Sequence, residues 1–159
     1  SIKLDQNVVS NEVEILGCNS RLDSIQAVVG NWLIDQVGNI TDQRIKNANR
    51  LDEGLSKIDG ITIPMRYSNR KLVYHLYIVF AERRDELYDY CKSNGIPAKI
   101  HYPVPVYLQP AVKNLGHKIG DFPVADRHAK TMISFPAHDH MNENELNYII
   151  QKVNDFYYG

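Results

Sequence analysis

The sequence is poor in several things, and each shortage narrows what it can be. It has two cysteines, Cys18 and Cys91, in 159 residues. That is too few for a disulfide framework or a cysteine-rich metal site, and it suits free thiols in a reducing cytoplasm. The formal net charge is −1, so there is no basic footprint for nucleic acid or for an anionic membrane. The apolar runs are too short to span a bilayer. Ser1–Val13 lacks the basic start and apolar stretch of a signal peptide. A glycine-rich phosphate loop and a Gly-x-Ser-x-Gly elbow are both absent. Ten tyrosines without a basic groove read as core and interface residues rather than as a stacking platform for bases.

What is present describes a globular chain. The hydrophobic fraction is 43% and the charged fraction 23%, both ordinary for a folded domain. At this length a single domain can bury ~70% of its unfolded surface. Residues 1–16 show only weak alternation. From Leu22 to Ile58 apolar residues recur at helical spacing, which predicts one long helix, or two with a break near Gly38-Asn39, capped by Asp23 or Ser20. Ile61–Pro64 reads as a short strand and Leu72–Phe80 as a long central one that includes His75. Arg83–Lys92 reads as a helix stopped by Asn94-Gly95, and Ala98–Tyr102 as a short strand entering a loop stiffened by Pro103 and Pro105. A short helix over Pro110–Leu115 ends at Gly116, a second helix covers Phe122–Met132, and Ile133–Phe135 is a brief strand. Asn142 and Glu145 form a capping box for a last helix through Phe156. His117 and His128 are expected at the surface. The pattern predicts an α+β fold in which a long N-terminal helix leads into a small sheet covered by helices.

Three constellations could carry chemistry. Asn19 and Arg21 precede a helix start; they are either a cap with a surface arginine or a pair of donors for a phosphate. His101-Tyr102 sits where a strand runs into the proline loop; the histidine is either satisfied within a turn or grips a phosphate oxygen. His138-Asp139-His140 is either a structural loop or part of a metal site, and no third cluster supplies further ligands, so no metal is expected.

Taken together and in order, a set of longer motifs carries a resemblance. They are Gly17-Cys18-Asn19-Ser20-Arg21-Leu22-Asp23 with Gln26-Ala27, Arg84-Asp85-Glu86-Leu87, Gly95-Ile96, His101-Tyr102-Pro103-Val104-Pro105 with Leu108-Gln109, Phe122-Pro123-Val124-Ala125, and Ser134-Phe135-Pro136-Ala137-His138. From about Leu16 onward the chain resembles the C-terminal portion of the DegT/DnrJ/EryC1/StrS family, the nucleotide-sugar aminotransferases that depend on pyridoxal 5′-phosphate. The resemblance implies the small C-terminal domain of a fold type I aminotransferase. Residues 1–58 would be the end of the large-domain segment and the connecting helix, and residues 59–159 the small domain. It implies a cytoplasmic homodimer that moves an amino group, typically from glutamate, to a keto sugar on a nucleotide, for surface-polysaccharide or deoxyamino-sugar synthesis. Asn19 would reach the phosphate of the partner subunit's cofactor. Arg21 and His101 would contact the nucleotide sugar, most plausibly its diphosphate, and Tyr102 would line the same pocket.

The resemblance also implies that the Schiff-base lysine and the carboxylate that pairs with the cofactor ring lie upstream of Ser1. On that basis residues 1–159 alone would be inactive. Tyr107 stands where the family often has histidine, and Cys18 is atypical for its position. Two kinds of molecule remain open: part of an aminotransferase, or a non-catalytic binding or dimerisation module that keeps the fold. If the long helix lost its dimer packing, it would expose an apolar patch and self-associate.

Overall fold

The computed structural model describes residues 22–159. The first helix, α1 (Ser24–Ile34), starts where Asp23 accepts from the Gln26 backbone N–H at 2.9 Å while the Gln26 side chain accepts from the Asp23 N–H at 3.3 Å, a reciprocal cap. Helix α2 (Val37–Leu55) follows, and the break falls at Asp35-Gln36 rather than at Gly38-Asn39. Gly38 and Asn39 occupy the first turn of α2, where backbone N–H groups have no intrahelical partner, so their low propensity costs little there.

The three strands form one antiparallel sheet in the order β1 (Ile61–Thr62), β2 (Tyr77–Ala81) and β3 (Met132–Phe135). Ile61 pairs with Ala81 and Tyr77 with Phe135. The central strand is shorter than Leu72–Phe80. Tyr74 adopts a left-handed backbone, φ 46°, which a strand cannot contain, so residues 72–76 leave the sheet. The strand expected over Ala98–Tyr102 is a single bridge, Lys99 to Ser134. Pro97 and Pro103 bracket it and have no N–H to extend a ladder. Met132 belongs to β3, and helix α4 stops at Thr131 (Pro123–Thr131).

Helix α3 (Arg84–Ser93) ends at Asn94-Gly95, with Gly95 left-handed at φ 73°. Buried Arg84 donates through Nη1 to the Met132 carbonyl at 2.9 Å, tying the start of α3 to the start of β3. Helix α5 (Glu143–Tyr158) carries the expected Asn142–Glu145 capping box and runs two residues beyond Phe156. Ile150 of α5 lies so close to Gly54 that a Cβ there would stand 2.5 Å from its Cδ1.

Contacts divide the described residues into two compact units. In the larger, residues 22–101 with Thr131–Gly159, the core gathers Leu51 and Leu55 of α2, Tyr77 and Val79 of β2, Leu87 and Cys91 of α3, Ile133 of β3, and Leu146 and Val153 of α5. Asp52 joins this core to its polar edge. It accepts a two-pronged bond from Arg66, at 3.0 and 3.1 Å, and a 2.7 Å bond from the Tyr77 hydroxyl. Burial first, then the bond to Asp52, pushes the Tyr77 phenol far above its usual range. By contrast, α1 has no buried residue.

The smaller unit, Tyr102–Lys130, is built from 3-10 turns at Val106–Leu108 and Pro110–Leu115, the second closed by left-handed Gly116, and from most of α4. Tyr107, His117 and Phe122 pack ring on ring. Asp126 accepts from the Tyr107 hydroxyl and, at 2.9 Å, from the Gly120 N–H. Desolvation and the Asp126 carboxylate push Tyr107 up to about 12. His117 is exposed and His128 half-buried. Among the described residues no helix is long and apolar enough to cross a membrane.

Candidate functional site

The site builds on the bridge between Lys99 and Ser134. Their backbones exchange two hydrogen bonds, at 3.0 and 2.8 Å. Alternation along the extended backbone then puts Lys99 and His101 on one side. His101 Nδ1 lies 3.1 Å from the Ser134 hydroxyl, which is itself buried. The imidazole is half-buried, and its pKa is lowered by desolvation first, then by the nearby charges of Lys99 and His75. It is therefore mainly neutral at pH 7. The bond to Ser134 holds the ring at Nδ1, with the hydroxyl donating or accepting according to the tautomer.

His101 lines a cleft of about 190 Å³ whose other walls are residues 74–77, Pro97, Lys99, Ser134–His138 and Arg44 of α2. Two anchors shape it. Buried Asn47 donates to the His138 carbonyl at 2.7 Å and accepts from Gln43 at 3.0 Å, which fastens the loop after β3 to α2. Arg44 Nη1 donates to the Tyr74 carbonyl at 3.2 Å, which fastens the segment before β2 to the same helix. The walls thus present an arginine, a lysine and three imidazoles, and no lining residue is acidic. Asp139 adjoins the cleft, 3.8 Å from Arg44 Nε and 3.6 Å from His140 Nε2. Such an arrangement can hold an anion by charge-assisted hydrogen bonds.

Of the residues singled out in the sequence, His101 lines this cleft. Tyr102 belongs to the smaller unit and is 65% exposed. Asn19 and Arg21, like Cys18, lie outside the described residues. His75, read as a sheet residue, stands instead before β2 and lines the cleft. Arg44 and Lys99 were missed. The spacing of Lys99 and His101, two apart in an extended stretch, was a usable signal for one of them. Nothing local marked Arg44, which is one polar residue among many on a helix.

His138 and His140 have ring centroids 6.2 Å apart, and among the described residues no group of three ligands is assembled for a metal. Burial pushes the Cys91 thiol up to about 11, so it is a core residue and a poor nucleophile. None of the described lysines is buried. A lysine that carries pyridoxal phosphate as a Schiff base needs an enclosed, desolvated site, so the described residues do not fit covalent attachment of that cofactor.

Comparison with known proteins gives the family. A model of the DegT/DnrJ/EryC1/StrS aminotransferase family matches residues 3–154. Among curated relatives, a "pleiotropic regulatory protein" of Geobacillus stearothermophilus is 34% identical over 90% of this chain and 39% of its own length. The dTDP-3-amino-3,4,6-trideoxy-alpha-D-glucose transaminase of Streptomyces venezuelae is 33% identical over 90% of this chain and 38% of its own. The crystal structure of S. venezuelae DesV in complex with a ketimine intermediate superposes with a TM-score of 0.84 at 32% identity, over 92% of this chain and 39% of that one. The chain thus spans about two fifths of the length of the relatives it matches. The mixed helix-and-sheet fold, its agreement with DesV and the family match lead to one assignment: the chain belongs to the DegT/DnrJ/EryC1/StrS aminotransferase family.

Proposed function

We propose that residues 1–159 serve as the C-terminal part of a cytoplasmic, pyridoxal-phosphate-dependent aminotransferase that acts on a nucleotide-linked keto sugar, with an amino donor such as glutamate. Residues 1–58 carry the end of the large-domain segment and the connecting helix region, of which α2 packs into one core with the small domain, residues 59–159. The observation that carries the proposal is the likeness to DesV over 92% of the chain. Pyridoxal phosphate supplies the electron sink for moving an amino group. This chain's own residues bind and orient. His101 contacts a phosphate oxygen of the nucleotide sugar, with Ser134 holding the ring at Nδ1. Arg21 makes a second contact to that diphosphate, Tyr102 lines the sugar side, and Asn19 reaches the cofactor phosphate across a homodimer. The Schiff-base lysine comes from a part of the enzyme other than the described residues, in keeping with the lack of a buried lysine among them.

The test uses the longest polypeptide encoded by the reading frame that contains these residues. With pyridoxal phosphate it is expected to show a visible absorbance band. With glutamate and a dTDP- or UDP-linked keto sugar it is expected to release 2-oxoglutarate and an amino sugar. A polypeptide that does neither overturns the proposal. A second reading, a non-catalytic binding or dimerisation module, is favoured by one observation: the Geobacillus relative bears a regulatory name. Sugar binding without amino transfer is the outcome that reading expects.

A further inference from the structure

We propose that Tyr107 is a positioning residue: through Asp126 it fastens the proline loop behind Tyr102 to α4, and so holds Tyr102 in place for the sugar. The inference deepens the sugar-aminotransferase proposal and rests on it for the role of Tyr102.

The loop is stiff within itself. Pro103 and Pro105 fix φ at two of its positions. A 3-10 turn at Val106–Leu108 follows, in which the Leu108 and Gln109 N–H groups donate to the Pro105 and Val106 carbonyls at 3.0 and 3.1 Å. Buried Gln109 reaches back, its Nε2 donating to the Val104 carbonyl at 3.3 Å. Residues 103–109 therefore form a hook whose shape is set locally, and Tyr102 stands at its start. Tyr107 ties this hook to the far end of the smaller unit. Its hydroxyl donates to Asp126 Oδ1 in the first turn of α4, and its ring lies 4.8 Å from that of Phe122, which precedes the helix.

The acceptor is held as firmly as the donor. Asp126 Oδ2 accepts from the Gly120 N–H at 2.9 Å. Gly120 is left-handed at φ 100°, and the turn around it is closed by Asp121, whose Oδ2 accepts from the Lys118 N–H at 3.0 Å. One carboxylate thus joins three segments: the hook, the turn and α4. The energetic consequence concerns Tyr102, which is 65% exposed. A side chain on an ordered mount has less freedom to lose when a ligand binds. Loosening the mount therefore weakens what Tyr102 touches, the sugar, and leaves contacts made from other segments as they were. That selectivity separates a positioning role for Tyr107 from simple support of the fold.

The experiment uses the longest polypeptide encoded by the reading frame, with Tyr107→Phe, Asp126→Ala and the double variant. Amide hydrogen exchange is expected to quicken about fivefold in peptides spanning 102–122, the loss of one hydrogen bond, and to stay unchanged in peptides from β2 and α5. With a dTDP- or UDP-linked keto sugar, Tyr107→Phe is expected to raise KM about fivefold. The kcat, the cofactor absorbance band and the inhibition constant of free dTDP or UDP are expected to stay in place, the pattern of lost binding confined to the sugar. The double variant is expected to match Asp126→Ala, because both residues act through one bond. Unchanged exchange over 102–122, an unchanged KM, or an equal loss of affinity for the free nucleotide overturns the positioning role. A polypeptide that binds the sugar nucleotide without transferring an amino group overturns the aminotransferase proposal instead; a Tyr107→Phe effect on the Kd of that ligand, and none on that of UDP or dTDP, then upholds the positioning role. Binding of neither ligand overturns both.

Discussion

Helices α1 and α2 follow one another in the chain and have opposite fates. In α2 the apolar and small residues fall on one side, and Ala48, Leu51 and Leu55 are fully buried against the sheet and the other helices. In α1 only Ser24, Gln26 and Asn31 are polar, yet Ile25 is 79% and Trp32 68% exposed. A helix that is apolar on all sides ordinarily sits inside a protein. The comparison teaches that helical content and core membership are separate properties: the first follows from caps and propensity, the second from what the rest of the polypeptide brings against the helix.

The sharpest way to break this contrast is to cut into α2. Leu51→Ala is expected to cost about 2–5 kcal/mol, the usual loss for a fully buried leucine, measured by urea unfolding; a loss below 1 kcal/mol would mean that α2 is no more integral than α1. The caps give a second comparison. Asn142→Ala removes the cap of packed α5 and is expected to lower global stability by about 1 kcal/mol. Asp23→Ala removes the equivalent cap of α1 and is expected to speed amide exchange within α1 while leaving the unfolding midpoint in place. Trp32→Lys tests the exposed face directly. Its effect on stability should stay within about 0.5 kcal/mol, while self-association, followed by sedimentation, should fall; an unchanged sedimentation profile from an associating wild type would remove α1 from the contact.

The smallest expected effect is pH-dependent and belongs to the cleft. Because the folded-state pKa of His101 lies below its unfolded value, folding favours the neutral ring. The resulting stability is whole above the unfolded pKa of about 6.5, and it is lost as pH falls through that value towards the folded one. His101→Gln should therefore flatten the stability profile between pH 7.5 and pH 5. An identical slope in both proteins would show that His101 ionises alike in the two states.

Much of the fold was legible because its signals are local. Asp23 and Asn142 announce helix starts through a side chain that bonds three residues on, and Asn94-Gly95 announces a stop through a left-handed backbone. The errors came where distant residues decide. Leu72–Phe80 has the composition of one strand, but Arg44 and Arg66, far apart in sequence, hold Tyr74 in a conformation that no strand contains. The site divides in the same way. His101 stood out at the end of an extended stretch before two prolines. Arg44 and His75 did not, because their relation to it exists only after α2 and the loop after β3 have closed around the cleft.

The sequence by itself determined the helix caps and the α+β pattern, through residue types at short fixed spacing, and the family, through several short motifs in a fixed order. Only the tertiary structure decided that β2 begins at Tyr77, that α1 lies outside the core and that four cationic or imidazole side chains join His101 around one opening. Those facts depend on packing and charge between segments dozens of residues apart, and no local pattern encodes that distance.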